Sequence, residues 1–300
     1  MSTATETSPV LAPRDRYLAL AAMVFATGMT FIDMTIVSIG APVIEADLGI
    51  SDDAIQWVVN GYLLGLAATF ALMGRLADVY GHRRMVVIGT IVFAFSSAMC
   101  GLTPGGSSAA AWLIGWRVVE GVGAAMLFPA ALAIVVASFP PRGRGRALAL
   151  FFAITGALTA VGPILGGYLV AWDWRSIFWV NIPIAIVALI LTARCKATTE
   201  RKDEPIDWGG GVLIVIGMGL SVVGFQQAGS WGWLSPATLL CVVGGLIVLA
   251  GFVRYEGTRS YPLIKLRIFA DRAFQADNAA LFFMSMAFVP VFFFLSFYAQ

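Results

Sequence analysis

The sequence is poor in charge and in reactive side chains. Only 12% of its 300 residues are Asp, Glu, Lys or Arg, it holds one histidine and three cysteines, and its formal net charge is +2. A charge balance so close to neutral gives no basis for nucleic-acid binding. Cys100, Cys195 and Cys241 lack the spacing of a metal site or of a disulfide framework, so we expect them to be packing residues.

Several chemical signatures are missing as well. The chain has no glycine-rich phosphate loop, no catalytic triad pattern and no spaced set of metal ligands. We therefore expect no ATP hydrolysis, no cofactor and no enzymatic activity.

Apolar residues, in contrast, are abundant. They make up 59% of the chain, and the mean hydropathy is +0.87, which is typical of a polytopic membrane protein. A helix that crosses a bilayer core of about 30 Å needs roughly 20 apolar residues. Nine such runs lie at Tyr17–Ile39, Ala54–Met73, Met85–Leu102, Ala109–Ala137, Ala147–Val170, Ile177–Ala193, Gly209–Gln227, Pro236–Val253 and Phe274–Ala299. Because each run is continuous rather than alternating, the sequence predicts an all-α transmembrane bundle and not a β-barrel.

The basic residues predict an orientation. Short cytoplasmic segments retain lysine and arginine, and with the N-terminus inside the cell all but two of the 19 bases lie in inner segments. The exceptions are Arg175, in an outer loop, and Arg117, within the fourth run. The first outer loop, residues 45–53, carries four acids and no base. We predict a multi-pass protein with a cytoplasmic N-terminus, and its excess of arginine, alanine and glycine favours a bacterial plasma membrane.

Three ionisable residues fall inside predicted spans. Asp33 lies in the first, and Arg117 and Glu120 lie in the fourth, although a charged side chain there costs about 2.5–3.5 kcal/mol. At 1.5 Å per residue, Asp33 is about 9 Å and Arg117 about 12 Å from the predicted outer ends of their helices. Glu120 follows Arg117 at i+3 and shares its helix face. The pattern predicts that the three side chains surround one buried polar chamber.

Two roles are open for this cluster. Burial favours the neutral acid and a neighbouring arginine favours the carboxylate, so Asp33 or Glu120 is suited to taking up and releasing a proton. Alternatively, Asp33 and Arg117 form a fixed ion pair that only holds two helices together. Arg117 is expected to be an electrostatic partner rather than a proton carrier, because its guanidinium does not deprotonate in proteins.

Five segments resemble the major facilitator superfamily. "GRLADVYGHRR" (Gly74–Arg84) resembles its loop signature between helices 2 and 3, and "LIGWRVVEGVGAA" (Leu113–Ala125) its helix 4 motif. "GALTAVGPILGGYL" (Gly156–Leu169) resembles the helix 5 antiporter motif. "FIDMTIVSIGAPVI" (Phe31–Ile44) and "WDWRSIFWVNIP" (Trp172–Pro183) are similar to the fourteen-helix drug:proton antiporter branch. The resemblance runs from about residue 15 to the end of the sequence.

The resemblance implies a domain plan. It comprises a cytoplasmic tail (1–16), a six-helix transport bundle (17–193), a cytoplasmic linker (194–207), two extra helices (208–253), a cytoplasmic loop (254–273) and the first helix of a second bundle (274–300). A fourteen-helix member continues for about five more helices. We therefore expect an incomplete bundle of about nine helices, either a fragment or a truncated product.

The first of these motifs is expected to act as a conformational latch. A helix C-terminus disfavours negative charge, so Asp78 needs a donor such as Arg84 or the start of another helix. Gly74 and Gly81 permit close backbone approach and a tight reversal. The resemblance implies that the loop docks on the second half of the protein, whereas the alternative is a topology signal only. The latch residues are Gly74, Asp78, Gly81, Arg83 and Arg84, and neighbouring His82 is expected to be a solvated loop residue.

The helix 5 motif is expected to form a tight, kinked seam. Small residues four apart let membrane helices approach closely, and proline bends a helix. Such a seam suits both a seal against proton leak and a moving interface, with packing alone as the alternative. The residues concerned are Gly156, Gly162, Pro163, Gly166 and Gly167.

These features predict a function. We expect a proton-coupled antiporter that exports lipophilic or cationic drugs and toxic compounds, with the bilayer, protons and a small molecule as its partners, and we expect it to be monomeric. The alternatives are an exporter of a dedicated metabolite and a non-transporting membrane fragment. The helix 4 motif of the family that this chain resembles usually has glutamine at the position of Glu120. The glutamate adds an acid, which is expected to alter either the proton stoichiometry or the cation preference.

Overall fold

The computed structural model describes the backbone of residues 12–196 and 201–298, and side chains up to residue 286. Within these ranges the chain is helical and contains no strand, which confirms the predicted all-α class. The helices are α1 (Pro13–Leu48), α2 (Asp52–Tyr80), α3 (His82–Gly101), α4 (Ala109–Ser138), α5 (Arg144–Trp172), α6 (Ser176–Arg194), α7 (Trp208–Trp231), α8 (Pro236–Glu256) and α9 (Arg272–Tyr298).

Helices α1 to α8 are each long and apolar enough to cross a membrane. They correspond to the first eight predicted spans. The ninth predicted span, Phe274–Ala299, falls on α9 and extends past the described residues.

Two helix ends differ from the predicted ones. Helix α1 continues to Leu48 instead of Ile39, and α2 continues to Tyr80 instead of Met73. Hydropathy marks where a helix meets lipid, whereas a helix ends only where its backbone hydrogen bonds stop. The extra turns of α1 carry Asp47, whose Oδ2 accepts from Trp174 Nε1 at 2.7 Å. This bond fastens the end of α1 to the turn between α5 and α6.

Helix α6 is interrupted close to its start. A short helix, Ser176–Trp179, is followed by Asn181–Arg194, where one continuous run had been predicted. Pro183 lacks the N–H that would bond the carbonyl of Trp179 four residues earlier. At the same place Ser97 of α3 donates to the carbonyl of Phe178 at 3.0 Å. A neighbouring helix thus supplies a hydrogen bond to the interrupted backbone.

Helix α4 is packed between α2 and α3, and α1 packs on α4, α5 and α6. Glycines allow these close contacts. A Cβ on Gly121 would collide with the carbonyl oxygen of Tyr62 on α2, and a Cβ on Gly65 would collide with the carbonyl oxygen of Val118 on α4. Small residues at such crossings bring membrane helices together by van der Waals packing. The crossing of α2 and α4 therefore fixes the depth and direction of the α4 side chains.

The two extra helices, α7 and α8, pack against each other, and α7 lies along α2. A Cβ on Gly211 would meet the side chain of Leu72, so this contact is also close. The segment 201–207 precedes α7 and passes the end of α2 at Asp78. It has no regular secondary structure and is not a β-strand, and it is named here the linker strand.

Substituting Gly121 tests this packing. We expect Gly121→Ala to lower the thermal unfolding midpoint of the purified protein, because the added methyl group meets backbone atoms and overpacking costs about 1–3 kcal/mol. Gly115→Ala is the control, since Gly115 lies on the same helix with no atom near its Cβ position. Equal midpoints for the two variants would contradict the packing described for α4.

Candidate functional site

The three intramembrane charges meet in the core of the bundle. Arg117 Nη1 lies 2.5 Å from Asp33 Oδ2 and 2.7 Å from Glu120 Oε2. Each of the three residues is at most 1% exposed. The expected convergence is present, although Asp33 lies farther from the end of its helix than predicted, because α1 continues to Leu48. We name Asp33, Arg117 and Glu120 the charge cluster.

Helix α2 fixes the guanidinium of Arg117 from the other side. Arg117 Nε donates to the carbonyl of Val58 at 3.1 Å, and the guanidinium carbon lies 4.7 Å from the centre of the Tyr62 ring. The hydroxyl of Tyr62 donates to the carbonyl of Thr30 at 3.4 Å. The arginine is therefore held by both α1 and α2 as well as by its own helix.

The two acids are supported unequally. Asp33 has a second donor, Nδ2 of Asn181, at 3.1 Å from Oδ1. Glu120 Oε1 has no hydrogen-bond partner among the described residues. Beyond Arg117, the neighbours of this carboxylate are the side chain of Ser97 and Cys100 Sγ, which lies 4.0 Å from Oε2. One guanidinium cannot neutralise two buried carboxylates, and an uncompensated buried charge costs several kcal/mol. The arrangement therefore favours one bound proton, and Glu120 is the acid with the weaker donors.

In the described part of the chain the three charged groups contact one another directly, and the buried polar chamber predicted around them stays a prediction. An apolar cavity of about 230 Å³ lies near them, and Tyr62, whose ring lies against the Arg117 guanidinium, is one of its lining residues. The cavity is lined by Thr30, Phe31, Met34, Tyr62, Leu66, Phe70, Ala124 and Phe128. These lining residues suit a lipophilic or aromatic molecule, because apolar pockets bind ligands by shape and by apolar contact surface.

Removing Arg117 tests the electrostatic account. We expect Arg117→Met to destabilise the protein by about 3–5 kcal/mol, because it leaves two buried acids without a base. The triple variant Arg117→Met, Asp33→Asn, Glu120→Gln should recover most of that loss, measured by denaturant unfolding in detergent. A triple variant as unstable as the single one would show that side-chain volume, and not charge, dominates.

Asp78 has partners at the start of α3 and in the linker strand. Its Oδ1 lies 3.3 Å from His82 Nε2, and its Oδ2 accepts from Lys202 Nζ. The backbone N–H of Lys202 also donates to the carbonyl of Asp78 at 3.0 Å. The start of another helix, one of the two predicted kinds of donor, is therefore present, whereas Arg84 is exposed and forms no ion pair with Asp78. The expectation of a solvated His82 is wrong, because α3 begins at this residue and its ring is buried beside Asp78.

The remaining latch residues have separate positions. Gly81 has a φ of 99°, a conformation that favours glycine, and makes the turn between α2 and α3. Arg83 donates to the carbonyls of Thr192 and Ala193 at 3.1 and 2.6 Å, where cations stabilise the C-terminal end of α6. The expected close approach at Gly74 is wrong. It lies inside α2, and a Cβ there would make ordinary contact with Pro129.

A second contact fastens the linker strand. Arg75 Nη2 donates to Glu204 Oε2 at 2.8 Å, and this hydrogen bond lowers the pKa of Glu204 below its usual value. Sequence reasoning counted Arg75 and Lys202 only as inner charges. The spacing of bases and acids along the chain could not reveal that these groups pair across 120 or more residues.

The helix 5 glycines divide between two faces of α5. Gly162 lies against Thr35 and the carbonyl of Ile32 on α1, and Gly166 lies against Ile36. Thr35 Oγ1 also donates to the carbonyl of Thr159 at 3.1 Å. Gly156 and Gly167 face open space, so the close approach expected at Gly167 does not occur. Positions 162 and 166 share a face of α5, whereas 167 is turned away by about 100°. Pro163 lies within the same continuous helix.

Acid should loosen the linker strand. The bond to Arg75 lowers the pKa of Glu204, so this carboxylate stabilises the attachment of the linker strand at any pH above the usual glutamate pKa. That stabilisation is lost as the pH falls from the usual pKa through the lowered one. We expect amide hydrogen exchange in residues 201–207, corrected for intrinsic rates, to rise only below the ordinary glutamate range. Glu204→Gln is the control: it should exchange faster at neutral pH and show a smaller acid transition, because only the contact of Asp78 with Lys202 remains. A transition of unchanged size in this variant would assign it to another group, such as Asp78.

The fold and the site together are those of a multi-pass α-helical membrane protein. Its buried charged side chains bond to one another beside an apolar cavity. The chain matches the family model of the Major Facilitator Superfamily over residues 23–300, so it belongs to this superfamily of membrane transporters.

Related proteins agree with this assignment. The chain is 35% identical over 284 residues to the tetracenomycin C resistance and export protein of Streptomyces glaucescens, covering 94% of this chain and 52% of that protein. It is 36% identical over 288 residues to the cephamycin export protein CmcT of Amycolatopsis lactamdurans, covering 93% and 58%. The chain thus spans about half the length of the curated relatives it matches.

Solved structures show the same fold. The proton:xylose symporter XylE superposes with a TM-score of 0.57 over 86% of this chain and 56% of that protein. The sequences are 10% identical in this alignment, so the likeness concerns the fold alone.

Proposed function

We propose that this protein is a proton-coupled antiporter that exports lipophilic or cationic drugs and toxic compounds. The observation that carries the proposal is one arginine shared by two buried acids, with Tyr62 in contact with both the arginine and an apolar cavity. The names of the relatives, which are resistance and export proteins for antibiotics, support export. The family consists of transporters, and we propose no enzymatic activity.

The charge count gives a mechanism. With Arg117 charged, Asp33 ionised and Glu120 protonated, the cluster is neutral. A cation that enters the cavity makes a second negative charge favourable, so the proton on Glu120 leaves as the cation binds. Proton uptake from the other side then restores the neutral cluster and weakens cation binding. Each cation exported is thereby exchanged for a proton.

The direction follows from topology. We propose a cytoplasmic N-terminus in a bacterial plasma membrane, which places Asp78 and the linker strand inside the cell and Asp47 outside. Protons then enter from the outer side and the substrate leaves toward it. We propose that the protein acts as a monomer, with the bilayer, protons and its small-molecule substrate as partners.

Two further motifs take roles in the cycle. The latch loop, with Asp78, Gly81 and Arg83, is proposed to stabilise one conformation by contacts that break and re-form. Its bonds to the linker strand support this role, because they join the first six helices to α7. The seam of Gly162 and Gly166 against α1 is proposed to seal the bundle against proton leak beside Ile32 and Thr35, which flank Asp33.

Efflux of a fluorescent lipophilic cation from energised membrane vesicles tests the function. We expect Asp33→Asn and Glu120→Gln each to reduce proton-driven efflux to near background while the protein remains inserted. Asp53→Asn, at the exposed start of α2, is the matched control and should leave efflux unchanged. Undiminished efflux in Asp33→Asn would remove Asp33 from the mechanism.

A second candidate is export of one dedicated metabolite. The relatives named for tetracenomycin C and for cephamycin favour it, since each name specifies a single compound or class. Competition by unrelated lipophilic cations distinguishes the two. Broad competition supports multidrug export, and inhibition by one compound class supports the dedicated exporter.

A further inference from the structure

Asn181 joins the charge cluster to the interruption in α6. It is the first residue of the second part of α6, directly after the break at Val180, and it is completely buried. Its Nδ2 donates both to Asp33 Oδ1 at 3.1 Å and to Ser97 Oγ at 2.9 Å. Val180 keeps helical backbone angles, so Asn181 continues the direction of the helix and its side chain points into the core beside Asp33.

Ser97 holds the amide in place. Its hydroxyl accepts from Asn181 and donates to the carbonyl of Phe178, at the end of the first part of α6. The chain of bonds therefore runs from the carboxylate of Asp33 through the amide and the hydroxyl to the carbonyl of Phe178 beside the break. Chains of buried hydrogen bonds polarise one another, so each bond strengthens the next.

An amide suits an acid that changes its protonation state. The Nδ2 group donates to an ionised carboxylate, whereas Oδ1 accepts from a protonated one. Asn181 Oδ1 has no hydrogen-bond partner within the described residues, so this acceptor is unoccupied when Nδ2 faces Asp33. A rotation of the amide would present Oδ1 to a protonated Asp33.

The other charged and titratable groups around Asp33 belong to three helices. Arg117 and Glu120 come from α4, Tyr62 from α2 and Cys100 from α3. Arg117 is shared with Glu120, and Tyr62 donates to the carbonyl of Thr30 instead of to either acid. Among the described residues, Asn181 is thus the one hydrogen-bond donor that Asp33 does not share with the second acid.

We propose that Asn181 is a positioning residue that keeps Asp33 ionised while Glu120 holds the exchangeable proton. The proposal deepens the proposed function, because it assigns the two acids different duties in the same site. Without the amide donor, Asp33 and Glu120 compete for one guanidinium on equal terms, and the proton is no longer confined to one of them.

Infrared titration of the purified protein in lipid nanodiscs tests the proposal. Isotopic labelling of aspartate separates the carboxyl band of Asp33 from that of Glu120, and Asp33→Asn identifies the band. We expect Asn181→Leu to move the Asp33 midpoint upward by about one pH unit or more, because the ionised form loses a donor. An Asp33 midpoint unchanged in a folded Asn181→Leu protein would overturn the proposal.

A pair of adjacent serines provides a second test with its own control. Ser97 accepts from Asn181, donates to the carbonyl of Phe178 and also interacts with Glu120, whereas buried Ser96 donates only to carbonyls of its own helix. Ser97→Ala should move the Asp33 midpoint in the same direction as Asn181→Leu, and Ser96→Ala should leave it in place. Equal effects of the two serine variants would also overturn the proposal, even where Asn181→Leu fails to fold.

The readout separates this inference from the proposed function. The titration needs no transport, so a shifted Asp33 midpoint in a protein that does not export cations supports the role of Asn181 and contradicts antiport. Proton-driven export with an Asp33 midpoint that is insensitive to Asn181 and Ser97 supports antiport and contradicts the role of Asn181.

Discussion

One guanidinium shared by two carboxylates is the interaction on which the rest of this structure depends. Arg117 is completely buried, and each of its bonds is to a group that has no access to water. Burying such a group is favourable only when its partners are fixed in good geometry. The close crossing of α2 and α4 at Gly65 and Gly121 provides that geometry, because it sets Val58 and Tyr62 against the arginine.

The presence of a second acid changes what this site can do. With Asp33 as the single acid, the pair with Arg117 would be neutral when Asp33 is ionised. Glu120 stands where the family usually has glutamine. When both acids are ionised, the charge cluster carries one net negative charge. The unequal donors of the two acids then decide where the proton resides, and the apolar cavity behind Tyr62 supplies a place for a cation that competes with it.

Features set by composition were predictable from the sequence, and features set by tertiary contacts were not. Long apolar runs predicted the helices of the bundle, and the rarity of charge within them singled out Asp33, Arg117 and Glu120. Sequence reasoning missed the end of α1 and the break in α6, because backbone hydrogen bonds determine them. It also missed Lys202, one of the partners of Asp78, because that residue is distant in the sequence. Asn181 lay inside a quoted motif, and its signal was an amide two residues before a proline that interrupts the helix. Lys202 and Glu204 carried no comparable signal.

The central claim is that a cation and a proton exclude each other from one site. The most direct measurement is the number of protons released when a lipophilic cation binds to the detergent-purified protein at constant pH, followed with an indicator dye. The account predicts release in proportion to the cation bound, with none from a variant in which Glu120 is glutamine. Binding of the cation without any release of protons from the unmodified protein would contradict it.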